Sequence, residues 1–127
     1  MIGEEVEHSL LKAAGEENVH ITEFTVAPYV SGGEGKSYHE WFIEFESKPH
    51  NIQEFAHKVD ENLRKKNVYY DDLISGNILT PLKLTAIRKN GFIEYMKSVD
   101  KLGGQNKVPR LSNDRKIADE LEKWIDK

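Results

Sequence analysis

Two hydrophobic periods alternate along the chain, and each change of period marks an element. Ile2, Val6, Leu10 and Ala13/Ala14 recur at helical spacing, with Glu4, Glu5 and Glu7 near the start, so 2–18 reads as a helix. Val19 to Val30 is rich in β-branched residues and reads as a strand. Its alternation slips: simple parity places Val19 and Ile21 on one face and Phe24 and Val26 on the other. A bulge, or a strand covered on both faces, accounts for the slip. Ser31 to Ser37 holds Gly32, Gly33 and Gly35 and reads as a hairpin loop. Tyr38 to Glu46 is the clearest strand. His39, Trp41, Ile43 and Phe45 form one face, and Glu40, Phe42, Glu44 and Glu46 the other.

Pro49 ends that strand. Asn51 with Glu54 three residues on is a box-like helix start, followed by an apolar stripe of Ile52, Phe55, Ala56, Val59 and Leu63. Val68 to Ser75 reads as a turn or short helix closed by Gly76. Pro81 precedes a third strand, Leu82 to Arg88. Asn90-Gly91 is a turn, and Phe92, Tyr95, Met96 and Val99 give a short amphipathic helix. Ser112 or Asn113 is placed to cap a last helix through Ile117, Leu121, Trp124 and Ile125. The order is α-β-β-α-β-α-loop-α, with no internal repeat. A hairpin, a helix and a returning strand predict the α+β class, with a small antiparallel or mixed sheet of three strands packed with helices. One more strand in front would make the core β-α-β-β-α-β, a ferredoxin-like arrangement.

Composition narrows the class. A chain of 127 residues with 38% hydrophobic and 31% charged residues matches one globular domain with a well-charged surface. It has no cysteine, which removes disulfides, thiolate nucleophiles and Cys-based zinc sites and fits a reducing cytoplasm. No apolar run approaches a membrane span, and the acidic N-terminus does not resemble a signal peptide. The net charge of −4 is unevenly spread: residues 1–61 hold 13 acidic and 4 basic residues, and residues 62–127 hold 9 and 14. That division argues against a general nucleic-acid binder and is compatible with one face meeting an anionic ligand or an acidic partner domain.

The strongest candidate for chemistry is K-L-G-G-Q-N-K-V-P-R-L-S-N-D-R, residues 101–115. Gly103 and Gly104 free the backbone, Gln105 and Asn106 are polar, Lys107 follows, and Pro109 excludes helix interior before Arg110. Residues 97–116 carry six basic and two acidic side chains. Such a loop suits a phosphate or carboxylate. The same composition describes an ordinary surface loop with a solvated lysine, and the spacing is not that of a Walker A loop.

Other candidates are weaker. Glu44 and Glu46 lie two apart on one strand face and could share a site, although such a pair more often simply faces water. His39 beside Trp41 reads as a satisfied core or edge histidine, since no second residue stands at metal-ligand spacing. His8, His20, His50 and His57 form no motif, and no serine sits in a nucleophile elbow. Trp41 and Trp124 lie on apolar stripes and read as core. Tyr69-Tyr70-Asp71-Asp72 fits a capped turn as well as a binding element.

Several segments together carry a family resemblance. These are H-E-W-F-I-E-F-E (39–46), the P-x-x-I-x-x-F and V-D-x-x-L pattern (49–63), N-V-Y-Y-D (67–71), P-L-K-L (81–84), G-F-I-E-Y-M-K (91–97) and the 101–115 stretch. They resemble the C-terminal domain of the auxin-responsive-promoter (Gretchen Hagen) family, acyl-acid amido synthetases of the adenylate-forming superfamily. The loop G-G-Q-N-K-V-P-R is similar to that of the bacterial branch. Lys107-Val108-Pro109-Arg110 also echoes the G-K-I-x-R element of related adenylate-forming enzymes.

The resemblance implies an enzyme that uses ATP and Mg²⁺ to make an acyl-adenylate from a small carboxylic acid, then passes the acyl group to an amino acid or another amine. It implies a large N-terminal adenylation domain, absent from these 127 residues, that binds most of the nucleotide and chooses acid and amine. The C-terminal domain is then a mobile lid that brings Lys107 to the reacting groups, with Gly103, Gly104, Gln105 and Arg110 as loop and phosphate-side support. On this reading the chain lacks the family's preceding edge strand, binds no metal or cofactor itself and is inactive alone. Without the large domain, Gly103 to Asn106 is expected to be mobile. The other class in play is a stand-alone α+β binding module in which Lys107 is structural. An open reading frame continuing upstream into a large α/β domain separates the two.

Overall fold

The computed structural model describes residues 3–29, 37–47, 49–76, 78–98 and 115–125. Its elements are α1 (Gly3–Glu17), β1 (His20–Tyr29), β2 (Tyr38–Ser47), α2 (Ile52–Lys66), α3 (Val68–Ser75), β3 (Lys83–Ile87), α4 (Gly91–Ser98) and α5 (Lys116–Leu121), followed by a 3-10 turn, Glu122–Trp124. Among the described residues the three strands form one mixed sheet in the order β1-β2-β3. β1 and β2 are antiparallel; β3 runs parallel to β2, with Trp41 opposite Leu84. The expected α+β class and mixed sheet are what the chain adopts.

The slip in β1 is a bulge. Ile21 pairs with Phe45 but Glu23 with Glu44, so Thr22 is an extra residue on β1, and Glu46 is skipped between Ser47 and Phe45. The irregularity brings Val19, Ile21, Phe24 and Val26 into one core. Both faces of this strand are also covered, since Thr25 and Ala27 are buried too.

Helices pack on both sides of the sheet. On the first face, Trp41, Ile43 and Phe45 meet Val6, Leu10 and Ala13 of α1 and Phe55, Val59 and Leu63 of α2. On the second, Ala27, Phe42 and Ile87 meet Phe92, Tyr95 and Met96 of α4 and Ala118 and Leu121 of α5. Local signals set the helix ends. Asn18 takes a positive φ of 55° after α1, and Val19 N–H returns to the Ala14 carbonyl at 2.9 Å. Asn51 caps α2 by accepting from Glu54 N–H, and Asn67 caps α3 by accepting from Tyr70 N–H.

Two expectations need correction. The last helix does not begin behind a Ser112 or Asn113 cap; it starts at Lys116, with Arg115 in the cap position and no side-chain capping bond. It also ends early: the chain tightens at Glu122, and Ile125 bridges to Ile87 instead, with Arg88 N–H donating to the Trp124 carbonyl at 2.8 Å. Glu44 does not face water. It is 2% exposed, and its carboxylate accepts from Asn90 N–H at 3.1 Å and Phe92 N–H at 3.0 Å, at the start of α4. The free amides of a helix start can hold a carboxylate that solvent cannot reach. Glu46 stays exposed, so the two carboxylates share no site.

Glu44→Ala is expected to destabilise the domain by roughly 2–4 kcal/mol, because each unsatisfied buried donor costs about 1–3 kcal/mol. Gly91→Ala should cost about 1–3 kcal/mol by crowding, since an added Cβ would collide with Ile87 Cγ2 and lie 3.1 Å from Trp124 Cβ. Urea denaturation measures both; midpoints equal to the parent's would contradict this account of α4.

Candidate functional site

Gly103, Gly104, Gln105, Lys107 and Arg110 lie outside the described residues, as does the expected mobility of Gly103 to Asn106. The structure does describe the two ends of the stretch that contains them. The chain leaves α4 at Ser98, whose hydroxyl donates to the Tyr95 carbonyl at 2.7 Å. It is described again from Arg115, the last residue of the 101–115 motif.

Arg115 lies over the second face of the sheet. Its Nη1 donates to Glu40 Oε1 at 2.9 Å and reaches the Pro28 carbonyl at 3.5 Å, while Nε lies 3.7 Å from Asp119 Oδ1. The guanidinium stands 5.4 Å from the ring centroid of Tyr29 and 6.0 Å from that of Phe42. The other oxygen of Glu40 accepts from Thr85 Oγ1 at 2.7 Å. One carboxylate on the middle strand thereby ties β3 to the residue that ends the motif.

An aromatic pair adjoins this knot. Tyr29 and Tyr38, opposite each other on β1 and β2, stack with centroids 4.8 Å apart and planes 15° from parallel. Lys83 Nζ lies 5.0 Å from the Tyr38 ring centroid. Burial raises the Tyr38 pKa, the Glu40 carboxylate and Tyr29 add to the rise, and Arg115 opposes it, so the phenol stays protonated. Sequence reasoning missed Glu40, Tyr29 and Tyr38. The available signal was parity, because Glu40 shares its strand face with Phe42.

The other candidates fall into place around the first core. Tyr70 is buried, and its hydroxyl donates to Asp60; burial, then that hydrogen bond, raises its pKa. Tyr69 is exposed and Asp71 pairs with Arg64, so this stretch is a capped helix, as its composition allowed. Trp41 is fully buried and Trp124 packs edge-on against Tyr95. His39 departs from expectation. Its ring tilts against Tyr70 at 5.8 Å, but Nδ1 is buried without a hydrogen-bond partner among the described residues, as is Nε1 of Trp41. The strand fixes His39 on an apolar face where no polar group among the described residues meets Nδ1. Among the described residues no group of His, Asp or Glu is arranged to hold a metal, and no helix is long and apolar enough to cross a membrane.

Comparison with known proteins bears on this architecture. It resembles that of acyl acid amido synthetases. The solved structure described as "GH3.15 acyl acid amido synthetase" superposes with a TM-score of 0.76 at 17% identity, covering 97% of this chain and 24% of that one. "AtGH3.15 acyl acid amido synthetase in complex with 2,4-DB" gives 0.74 at 16% identity, with the same coverage of both chains. The chain thus spans about a quarter of the length of these solved relatives. At such identity the likeness shows the fold. No curated protein sequence matches the chain. The model of the GH3 family C-terminal domain matches residues 4–116, and the chain belongs to that family.

Burial lowers the His39 pKa, so the folded protein takes this proton less readily than the unfolded chain. Its contribution to stability is therefore complete above the ordinary histidine pKa of about 6.5 and is lost as pH falls below that towards the lowered folded value. His39→Leu should flatten stability against pH across that interval. Parallel stability curves for the variant and parent would show that His39 is not the titrating group.

Proposed function

We propose that this chain is the C-terminal lid domain of an ATP-dependent acyl-acid amido synthetase, of the bacterial branch whose loop reads G-G-Q-N-K-V-P-R, and that Lys107 is its adenylation lysine. The observation that carries this reading is the family match over residues 4–116, which includes the whole Gly103 to Arg110 loop. The fold shared with one quarter of a larger synthetase supports it.

ATP, with Mg²⁺, supplies the adenylyl group, and the reading assigns both mainly to a large N-terminal domain of the same protein. In this chain, Lys107 brings a compact ammonium to the charge that develops as a carboxylate meets the α-phosphate. Gly103 and Gly104 keep the approach free of side chains, and Gln105 and Arg110 support the phosphate side. Pyrophosphate leaves as the acyl-adenylate forms; the domain then rotates and withdraws Lys107, and an amino acid or other amine takes the acyl group as the acyl–phosphate bond breaks and AMP departs. The enzyme works on small molecules in the cytoplasm, not on nucleic acid or membranes, and the chain is inactive alone.

In the full-length enzyme, Lys107→Ala should slow acyl-adenylate formation on the order of 10²–10³-fold, the usual loss for one electrostatic contact made in the transition state. Pyrophosphate exchange reads this half-reaction, and amide formation from synthetic acyl-adenylate reads the second, which should change far less. Lys107→Arg should rescue poorly. Equal loss in both half-reactions, or in neither, would remove Lys107 from this role. The isolated chain should bind ATP no more tightly than about millimolar, a free energy near −4 kcal/mol; micromolar binding by calorimetry would favour a stand-alone nucleotide module.

A further inference from the structure

A cleft of about 400 Å³ opens between the first half of α2 and β3, within the size range of small-molecule sites. One wall is apolar, with Ile52 and Ala56 from α2 and Pro81, Leu82 and Leu84 from the chain entering and forming β3, while Gln53, His57, Lys83 and Thr85 give it polar edges. Asp60 lines the same cleft, four residues after Ala56 on one helix face, and is only 2% exposed. Its Oδ1 accepts both bonds the carboxylate makes, from the Tyr70 hydroxyl and from Leu82 N–H at 3.4 Å. Oδ2 has no hydrogen-bond partner among the described residues.

Arg64 is the cation whose charge reaches Asp60, but its guanidinium is bound to Asp71 and leaves Oδ2 without a donor among the described residues. His57 Nε2 lies 3.0 Å from Glu61, and Lys83, which also lines the cleft, holds its ammonium over the Tyr38 ring. A nearly buried carboxylate with an unused oxygen beside an apolar wall favours a ligand that brings both a positive charge and a donor. A planar guanidinium asks for both carboxylate oxygens, and Oδ1 is already engaged; a compact ammonium needs only one. A metal ion would need several oxygen ligands, and Asp60 is the one carboxylate among the residues lining the cleft.

We propose that this cleft is a binding site for a small primary amine, held as its ammonium on Asp60 Oδ2 with its alkyl chain against Ile52, Ala56 and Leu84. The site is independent of Lys107 and of the adenylation reading.

The test is an NMR titration of the 127-residue chain with n-butylammonium, and with n-butanol as neutral isostere, at matched ionic strength. Saturable shifts of the Asp60, Leu82 and Thr85 amides are expected with the ammonium, and much weaker ones with the alcohol. Asp60→Asn keeps an oxygen for Tyr70 and Leu82 but removes the charge, and should weaken butylammonium binding by about tenfold or more, as for loss of one charged hydrogen bond. Equal responses to amine and alcohol, or an Asp60→Asn variant that binds like the parent, would overturn the site. If that variant does not fold, Ala56→Leu decides, because it narrows the cleft without touching the carboxylate. Undiminished binding there would equally refute it.

Discussion

A carboxylate taken from water into a protein interior costs several kcal/mol unless its charge is met by well-placed donors. Glu44 is buried at the centre of the middle strand, and its donors are the backbone amides of Asn90 and Phe92. Neither partner in this contact stands well without the other. α4 has only eight residues, too few for a stable helix alone, and its first amides have no acceptor within the helix. Asn90 makes the geometry possible: its positive φ of 69° turns the chain out of β3 so that two nearby amides converge on one carboxylate. Gly91, between them, has no side chain and lets the turn close onto Ile87 and Trp124. The second core follows from this placement, since Phe92, Tyr95 and Met96 reach Phe42 and Ile87 only if α4 starts where it does.

The same device recurs with different strength. Glu40, on the same strand face, receives the Thr85 hydroxyl and the Arg115 guanidinium, so it ties β2 to β3 and to the start of α5. Backbone amides hold Glu44 and water does not compete. The Arg115–Glu40 pair keeps 26% and 16% side-chain exposure, so solvent screens part of its attraction. The Lys107 stretch therefore runs between a firmly anchored helix, α4, and a more solvent-accessible ion pair.

Much of this was legible in sequence. Period-2 alternation from Tyr38 to Glu46 named the faces of β2 correctly, and the stripe from Ile52 to Leu63 named the buried side of α2. Asn51 and Gly76 were read at helix ends because a short polar side chain and a glycine satisfy groups that a helix leaves open; the Asn67 cap was not read. The parallel pairing of β3 on β2 was not legible, because no local pattern encodes which edge a returning strand takes. Glu44 was misread for the same reason: strand parity reports a face, and the helix that covers the face comes 46 residues later. Asp60 left a fainter trace, one acid four residues beyond Ala56 on the edge of an apolar stripe. For the loop, spacing alone did not separate a phosphate binder from a solvated surface; the preference for the former rests on the motif G-G-Q-N-K-V-P-R within a whole-chain resemblance.

The uneven charge has a structural cause as well as an electrostatic one. The first half of the chain is acidic, and several of its carboxylates receive donors from the second: Glu5 from Asn67, Glu40 from Thr85 and Arg115, and Glu44 from Asn90 and Phe92. Glu40 and Glu44 are thus drawn inward as fasteners between sheet and helices, where they contribute less to the outward field than their count suggests. Basic side chains concentrate between Lys97 and Lys116. They outnumber the acids there six to two. Of them, Arg115 has a described ion pair with the sheet, and a field built from such an excess falls off over a Debye length of about 8–10 Å. The charge asymmetry read from composition is therefore sharper at the Lys107 stretch than the net charge of −4 conveys, because part of the opposing negative charge is spent inside the fold.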